Sequence, residues 1–368
     1  MAAWTNEETE TLRRLHAAGA LDKEIAAALP HRNANMVRQK RVLLGLAGNG
    51  VDGAGMPIKN RGPRDVGVAE KPFTVPALPG EAPPLSELLE RRRREFERKR
   101  VAHEARKLIP VDVHLDGPIG IQLWGDPHVD DPGCDIGLIE RHLQVGNETE
   151  GLFAGNVGDF TNNWIGRLAH LHSQQTTTAQ EAWLLAEWLL RGQDWLFLVG
   201  GNHDAWSGAG DPLQWISRQQ GSLLEPHGCR LELRLPSRRR VVLNARHDFK
   251  GHSQWNTAHG PAKAAQMGWR DHILACGHMH ISGYQVVKDP STGLISHALR
   301  VASYKVIDRY AKEMGLPDQS IFVCPVAIID PAYGDDDPRF ITLIFDPEEA
   351  AEYLTWKRSR WASGRAAA

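Results

Sequence analysis

Five short apolar runs in this 368-residue chain each lead straight into Asp, Asn or His, and this repetition constrains the fold more than any other feature. Ile119–Trp124 runs into Gly125-Asp126-Pro127-His128, and Gly151–Val157 into Gly158-Asp159. Trp195–Val199 runs into Gly200-Gly201-Asn202-His203-Asp204. Val241–Ala245 is followed by Arg246-His247-Asp248, and His272–Ala275 by Gly277-His278-Met279-His280. Short apolar runs of this kind read as buried strands. Helical stretches are expected near 137–146, 176–191, 211–219 and 257–267, with later strands at Ser296–Ala302, Phe322–Ile329 and Phe340–Phe345. The alternation predicts an α/β (α+β) domain over residues 111–350 with its chemistry on loops at strand ends.

A single Gly-Asp or a lone His is uninformative, but the ordered set D-x-H, G-D, G-N-H-D, H and G-H-x-H is not. On an extended chain, Asp-x-His and His-x-His place both side chains on one side, facing one ion. Carboxylate, imidazole and amide oxygen together suit Mn²⁺, Fe²⁺ or Zn²⁺ better than Ca²⁺ or Cu⁺. Seven donors exceed one tetrahedral ion and fit two ions sharing a carboxylate. Such a pair, about 3.5–4 Å apart, clamps a phosphoryl group and activates a water. His252 is the alternative to His247, which is preferred because it directly follows the apolar run.

With these motifs the chain resembles the calcineurin-like metallophosphoesterase superfamily over residues 119–282, and more particularly the exonuclease-type metallophosphoesterases of phages and prophages. The resemblance implies a two-sheet β-sandwich flanked by helices. It implies one ion on Asp126, His128 and His280, a second on Asn202, His247 and His278, and Asp159 bridging both. It also implies that His203 donates a proton to the leaving oxygen, steadied by Asp204. The arginine of phosphoprotein phosphatases is missing from Gly158-Asp159-Phe160-Thr161-Asn162-Asn163, which disfavours that substrate. The second His of many repair nucleases, three residues after the bridging Asp, is Asn162 here.

Trp164, Trp206 and Trp255 lie close to these motifs, either to stack on bases or to pack beneath the loops. Arg167 and Lys250 are candidate phosphate ligands.

Residues 1–46 read as three short helices: about 6–18, from Asp22, and about 33–44, with Leu12, Leu15, Ile25, Leu29, Met36, Val37, Val42 and Leu43 as core positions. Trp4, Glu7-Glu8, Glu24-Ile25-Ala26 and a basic third helix closing on Gly45-Leu46 resemble Myb/SANT-like helix-turn-helix modules. The resemblance implies that Arg38, Lys40 and Arg41 contact DNA; the alternative is a protein-docking module with a solvated basic face. Residues 47–84, rich in Gly, Pro and Ala, read as a flexible linker. Residues 85–110 hold a charged helix, more naturally laced by Glu–Arg pairs than tracking phosphates. Residues 351–368 read as a C-terminal tail.

Charge divides along the chain. Residues 1–110 hold 20 Lys/Arg against 14 Asp/Glu, whereas 111–368 hold 23 against 31. Such asymmetry suggests separate jobs for the two parts. Cys134, Cys229, Cys276 and Cys324 are far apart without a CxxC pair, so neither a disulfide scaffold nor a Cys-type zinc site is expected. The polar start and the lack of a long apolar run lead us to expect a cytoplasmic protein without a membrane span. These readings converge on a phosphodiesterase or nuclease that uses two divalent ions, Mn²⁺ first, to cut DNA. The alternatives are a small-nucleotide phosphodiesterase or phosphomonoesterase, and a DNA-binding protein with a structural metal domain.

Overall fold

The computed structural model describes residues 4–46, 50–51, 57–58, 76, 82–164, 170–173, 175–204 and 212–366. The chain forms two compact units, Met1–Pro83 and Pro84–Ala368.

The first unit contains α1 (Asn6–Ala17), α2 (Asp22–Ala27) and α3 (Ala34–Leu43). Thr5 and Glu8 cap the start of α1 reciprocally, and Asn33 accepts from Met36 N at the start of α3. Leu12, Ile25, Leu29 and Val37 form a small core, with Trp4, Leu15, Leu44 and Leu46 packed around it. Val42 and Leu43, expected in that core, are instead 64% and 82% exposed. The chain reverses after α3: Gly45, at φ 70°, bonds back to Val42 O, and Leu46 N to Arg41 O. That reversal folds Leu44 and Leu46 inward in place of the two residues before them. Within the stretch read as a linker, β1 (Gly50–Val51) and β2 (Pro57–Ile58) form a short antiparallel pair. Most of residues 47–84 lie outside the described residues.

The second unit opens with α4 (Leu85–Arg106), which buries no side chain. Arg92–Glu95 and Arg100–Glu97 ion pairs lace its surface, as a solvated helix requires. Then follow β3 (Ile109–Asp112), β4 (Ile119–Trp124), α5 (Ile136–Glu148), β5 (Leu152–Asn156), α6 (Ala179–Arg191), β6 (Trp195–Gly200) and α7 (Pro212–Gln220). After them come β7 (Leu224–Pro226), β8 (Gly228–Arg234), β9 (Arg240–Arg246) and α8 (His259–Ala264), which continues as a π-helical turn, and β10 (Ile273–Cys276). The chain closes with β11 (Gly283–Lys288), β12 (Ile295–Arg300), α9 (Arg309–Glu313), β13 (Val326–Ile329), β14 (Ile341–Ile344) and α10 (Pro347–Ala366).

The strands make two six-stranded sheets, ordered β14-β13-β4-β5-β6-β7 and β11-β12-β10-β9-β8-β3. Ile121, Phe197 and Val199 of the first meet Leu231, Leu243 and Ile273 of the second in the main core between the sheets. On the outer face of the first sheet, α5 and α6 cover Trp124, Trp195 and Leu198 with Ile139, Leu143, Ala186 and Leu189. Phe249 and Ala265 cover Leu274 and Cys276 on the outer face of the second. The result is the expected two-sheet sandwich flanked by helices, with β4 and β10 buried on both faces.

Residues 351–366 belong to helix α10 and are not a tail. Helix α10 buries Ala350 and Leu354 against Leu152, Val326 and Ile328, and Arg358 donates to the Asp116 and Pro118 carbonyls. The few apolar side chains at the one-face spacing of Ala350 and Leu354 suffice because its other faces stay wet. All four cysteines are free. Among the described residues no helix is long and apolar enough to cross a membrane.

Candidate metal centre

β4, β5 and β6 run parallel in one sheet, and β9 and β10 run parallel in the other. Their C-terminal ends therefore point the same way within each sheet, and the five motif loops leave from those ends. Extended alternation does not place the donor pairs, contrary to expectation. His128, Asp159, His278 and His280 all sit at positive φ (43°, 54°, 69° and 53°). Left-handed backbone disfavours such residues by about 1–2 kcal/mol each, and the packed strands beneath impose it. Two glycines make the close approach possible. A Cβ on Gly201 would lie 2.1 Å from Asp159 Oδ1, and one on Gly277 would lie 2.3 Å from Asp126 Oδ1.

The donors converge in two groups, Asp126–His128–His280 and Asp159–His247–His278. In the first, His128 Nε2 is 3.2 Å from His280 Nε2, which is 3.5 Å from Asp126 Oδ2. In the second, His247 Nε2 is 3.0 Å from His278 Nδ1, 3.3 Å from Asp159 Oδ2 and 2.7 Å from Asn202 Oδ1. Asp159 Oδ2 also lies 3.8 Å from His128 Nε2, so one carboxylate faces both groups. Donors about 2.1 Å from a shared ion, at roughly 90–110° to one another, stand about 3.0–3.4 Å apart. Asp126 Oδ1 is buried without a hydrogen-bond partner, a costly condition that a cation relieves. The residues present therefore fit divalent ions. His252 is exposed and belongs to neither group.

Burial and mutual contact perturb the donors strongly. Burial holds the His128 and His278 imidazoles below their usual range, in the neutral, ligating form. Burial also raises the Asp126 carboxyl, to about 7. At Asp159 burial is outweighed by the hydrogen bond and the charge of His247, so the carboxyl is held low. His247, whose burial is likewise outweighed by Asp159, is raised to about 10.

His203 lies at the edge of this centre, its ring 5.1 Å from that of His128 and 5.4 Å from that of Trp164. Its Nδ1 meets the carbonyl of Asn162, and its backbone N–H donates to Asp159 Oδ1 at 2.9 Å. Asp204 does not steady this ring as expected. Its carboxylate accepts the backbone N–H groups of Asp159, Phe160 and Gly201 at 2.8, 3.0 and 2.8 Å, which locks two donor loops together. Asn162 Nδ2 donates to Asp131 Oδ2, so that side chain serves the loop.

A cleft of about 600 Å³ opens over the donors. His128, Asp159, Asn202, His203, His278 and His280 line one side, and residues 305–320, including Lys305, Asp308 and Lys312, line the other. Trp164 lines it too, whereas Trp255 is 94% exposed and lies outside it, as does Lys250. Trp206 and Arg167 lie outside the described residues. Lys305 and Asp308 escaped the sequence reading. They follow the run ending at Ala302 just as the candidate donors follow theirs, so the same strand-end rule applied once more reaches them. Buried Arg300 was missed as well: it donates to Asp248 Oδ1 at 2.7 Å and to the Gly277 carbonyl, tying the β9 and β10 loops.

In the front unit, Arg38 is exposed and Lys40 lies 5.7 Å from the Trp4 ring. Arg41, expected on DNA, is buried instead. Its guanidinium donates to both oxygens of Asp22 at 2.8 and 3.1 Å and to Leu46 O at 2.8 Å. It sits one turn after Val37 on the inward face of α3, where an ion pair is the only way to hold a charge. Against known proteins, the chain matches no family model and no curated protein.

Proposed function

We propose that this protein is a two-metal phosphoesterase of the calcineurin-like kind, acting on the phosphodiester bonds of nucleic acid. One observation carries the reading: two donor groups meet at the shared carboxylate Asp159, with His203 beside them in an open cleft. Asp126, His128 and His280 would hold one ion, Asn202, His247 and His278 the other, and Asp159 both. When bound, such a pair supplies an activated water and neutralises phosphoryl oxygens, a role that Mn²⁺ suits best, with Fe²⁺ or Zn²⁺ as alternatives. His203 keeps its Nδ1 proton on the Asn162 carbonyl, which turns Nε2 toward the cleft as the proton donor for the leaving oxygen. Arg38 and Lys40 of the front unit bring DNA phosphates to the chain.

A second reading, hydrolysis of a small nucleotide, draws on the size of the cleft and on Arg41, which Asp22 holds away from DNA. Rates on bis-p-nitrophenyl phosphate, p-nitrophenyl phosphate and labelled DNA with Mn²⁺ separate the two. DNA cleavage favours the first, and hydrolysis of the small esters alone favours the second. Asp159→Asn should lose Mn²⁺ and all hydrolysis. Two tightly bound ions with native rates in that variant would overturn the assignment.

A further inference from the structure

His280 is the most exposed donor of its group. Its side chain is 22% exposed, against 1% for His128 and 0% for Asp126. A half-buried imidazole needs a partner to fix its orientation, and Asp308 supplies one: His280 Nδ1 donates to Asp308 Oδ2 at 3.2 Å. The carboxylate keeps the proton on Nδ1 and leaves the Nε2 lone pair facing His128 and Asp126. Asp308 is itself held on two sides. Its Oδ1 accepts from Ala311 N at 3.3 Å and lies 3.3 Å from Lys305 Nζ. Lys305 is buried and reaches Asp131 Oδ2 at 3.1 Å, so one ammonium compensates two carboxylates. The second group is built differently, because His247 Nδ1 donates to the backbone carbonyl of Val157 at 3.0 Å, which no side-chain change removes.

We propose that Asp308, braced by Lys305, is a positioning residue for His280 that sets the affinity of one ion position and not the other. This rests on the two-ion reading above. The test is a Mn²⁺ titration of the full chain by equilibrium dialysis, with electron paramagnetic resonance reporting whether ions are single or spin-coupled. Asp308→Ala should weaken one of the two binding steps on the order of 10–100-fold and leave the other unchanged. At intermediate Mn²⁺ its spectrum should then show single ions where the wild type shows coupled pairs. Asp308→Asn should fall between, because the amide oxygen still accepts from Nδ1. Melting without metal checks that both variants fold. Two unchanged steps in folded Asp308→Ala overturn the proposal. So does an equal loss at both steps, or equal losses for Ala and Asn. Fewer than two ions on the wild type overturns the two-ion reading itself, and the proposal with it.

Discussion

His203 shows how much a side chain's role depends on its immediate partners. Its ring is oriented by a backbone carbonyl and by the edges of His128 and Trp164, and it belongs to neither donor group. His203→Ala should therefore retain both ions while turnover falls on the order of 10²–10⁴-fold. A substrate whose leaving group has a low pKa should recover part of that loss, since it needs less protonation. Loss of metal in the variant would make His203 a ligand. The six residues of the two groups, and Asn202 beside His247, were legible at this scale because each follows an apolar strand. The role of Asp204 was not, because the N–H groups it accepts come from backbone that only the fold brings together.

Elements were legible where one periodicity dominates. β4 and β10 are apolar throughout, and α6 carries a Thr178–Glu181 capping box ahead of its apolar face. β8 was missed because its buried Cys229, Leu231 and Leu233 alternate with Arg230, Glu232 and Arg234, and the charges mask a half-buried strand. In α3 the basic run hid two environments. Arg41→Ala should destabilise the three-helix unit by about 1–3 kcal/mol, because Asp22 then loses its partner. Hydrogen exchange of α1–α3 amides in the full chain reads that change. Arg38→Ala with Lys40→Ala should leave exchange unaltered and weaken DNA binding. The log–log salt slope should flatten by about one unit for each phosphate that the double variant no longer neutralises. Unchanged affinity in that variant would remove the front unit as a DNA reader.

For the whole molecule, acid is the condition to watch. Burial lowers both His142, bonded to the Tyr304 hydroxyl at 2.7 Å, and His297, bonded to that of Tyr284 at 2.6 Å, to about 4. The unfolded chain binds these protons near pH 6.5, whereas the folded chain resists them until about pH 4. Stability from these sites is thus full above pH 6.5 and lost as pH falls toward 4, at most about 3 kcal/mol per site. Urea unfolding across that window should steepen toward acid. His142→Gln and His297→Gln should each flatten the slope, and an unaltered slope would show that the burial of these rings is not what the acid acts on.

The donor loops leave from both halves of the sandwich: Asp126, His128, Asp159 and Asn202 follow strands of one sheet, and His247, His278 and His280 follow strands of the other. Each donor group therefore spans the seam between the sheets. Ions held there would act as rivets, resisting any sliding of one sheet over its partner, so that the candidate metal centre would double as a mechanical fastening. Chelation should then lower the melting temperature of the second unit, with added Mn²⁺ restoring it in proportion to the logarithm of its concentration above the dissociation constant. Under load, as in single-molecule pulling, the chelated protein should yield at lower force than the riveted one.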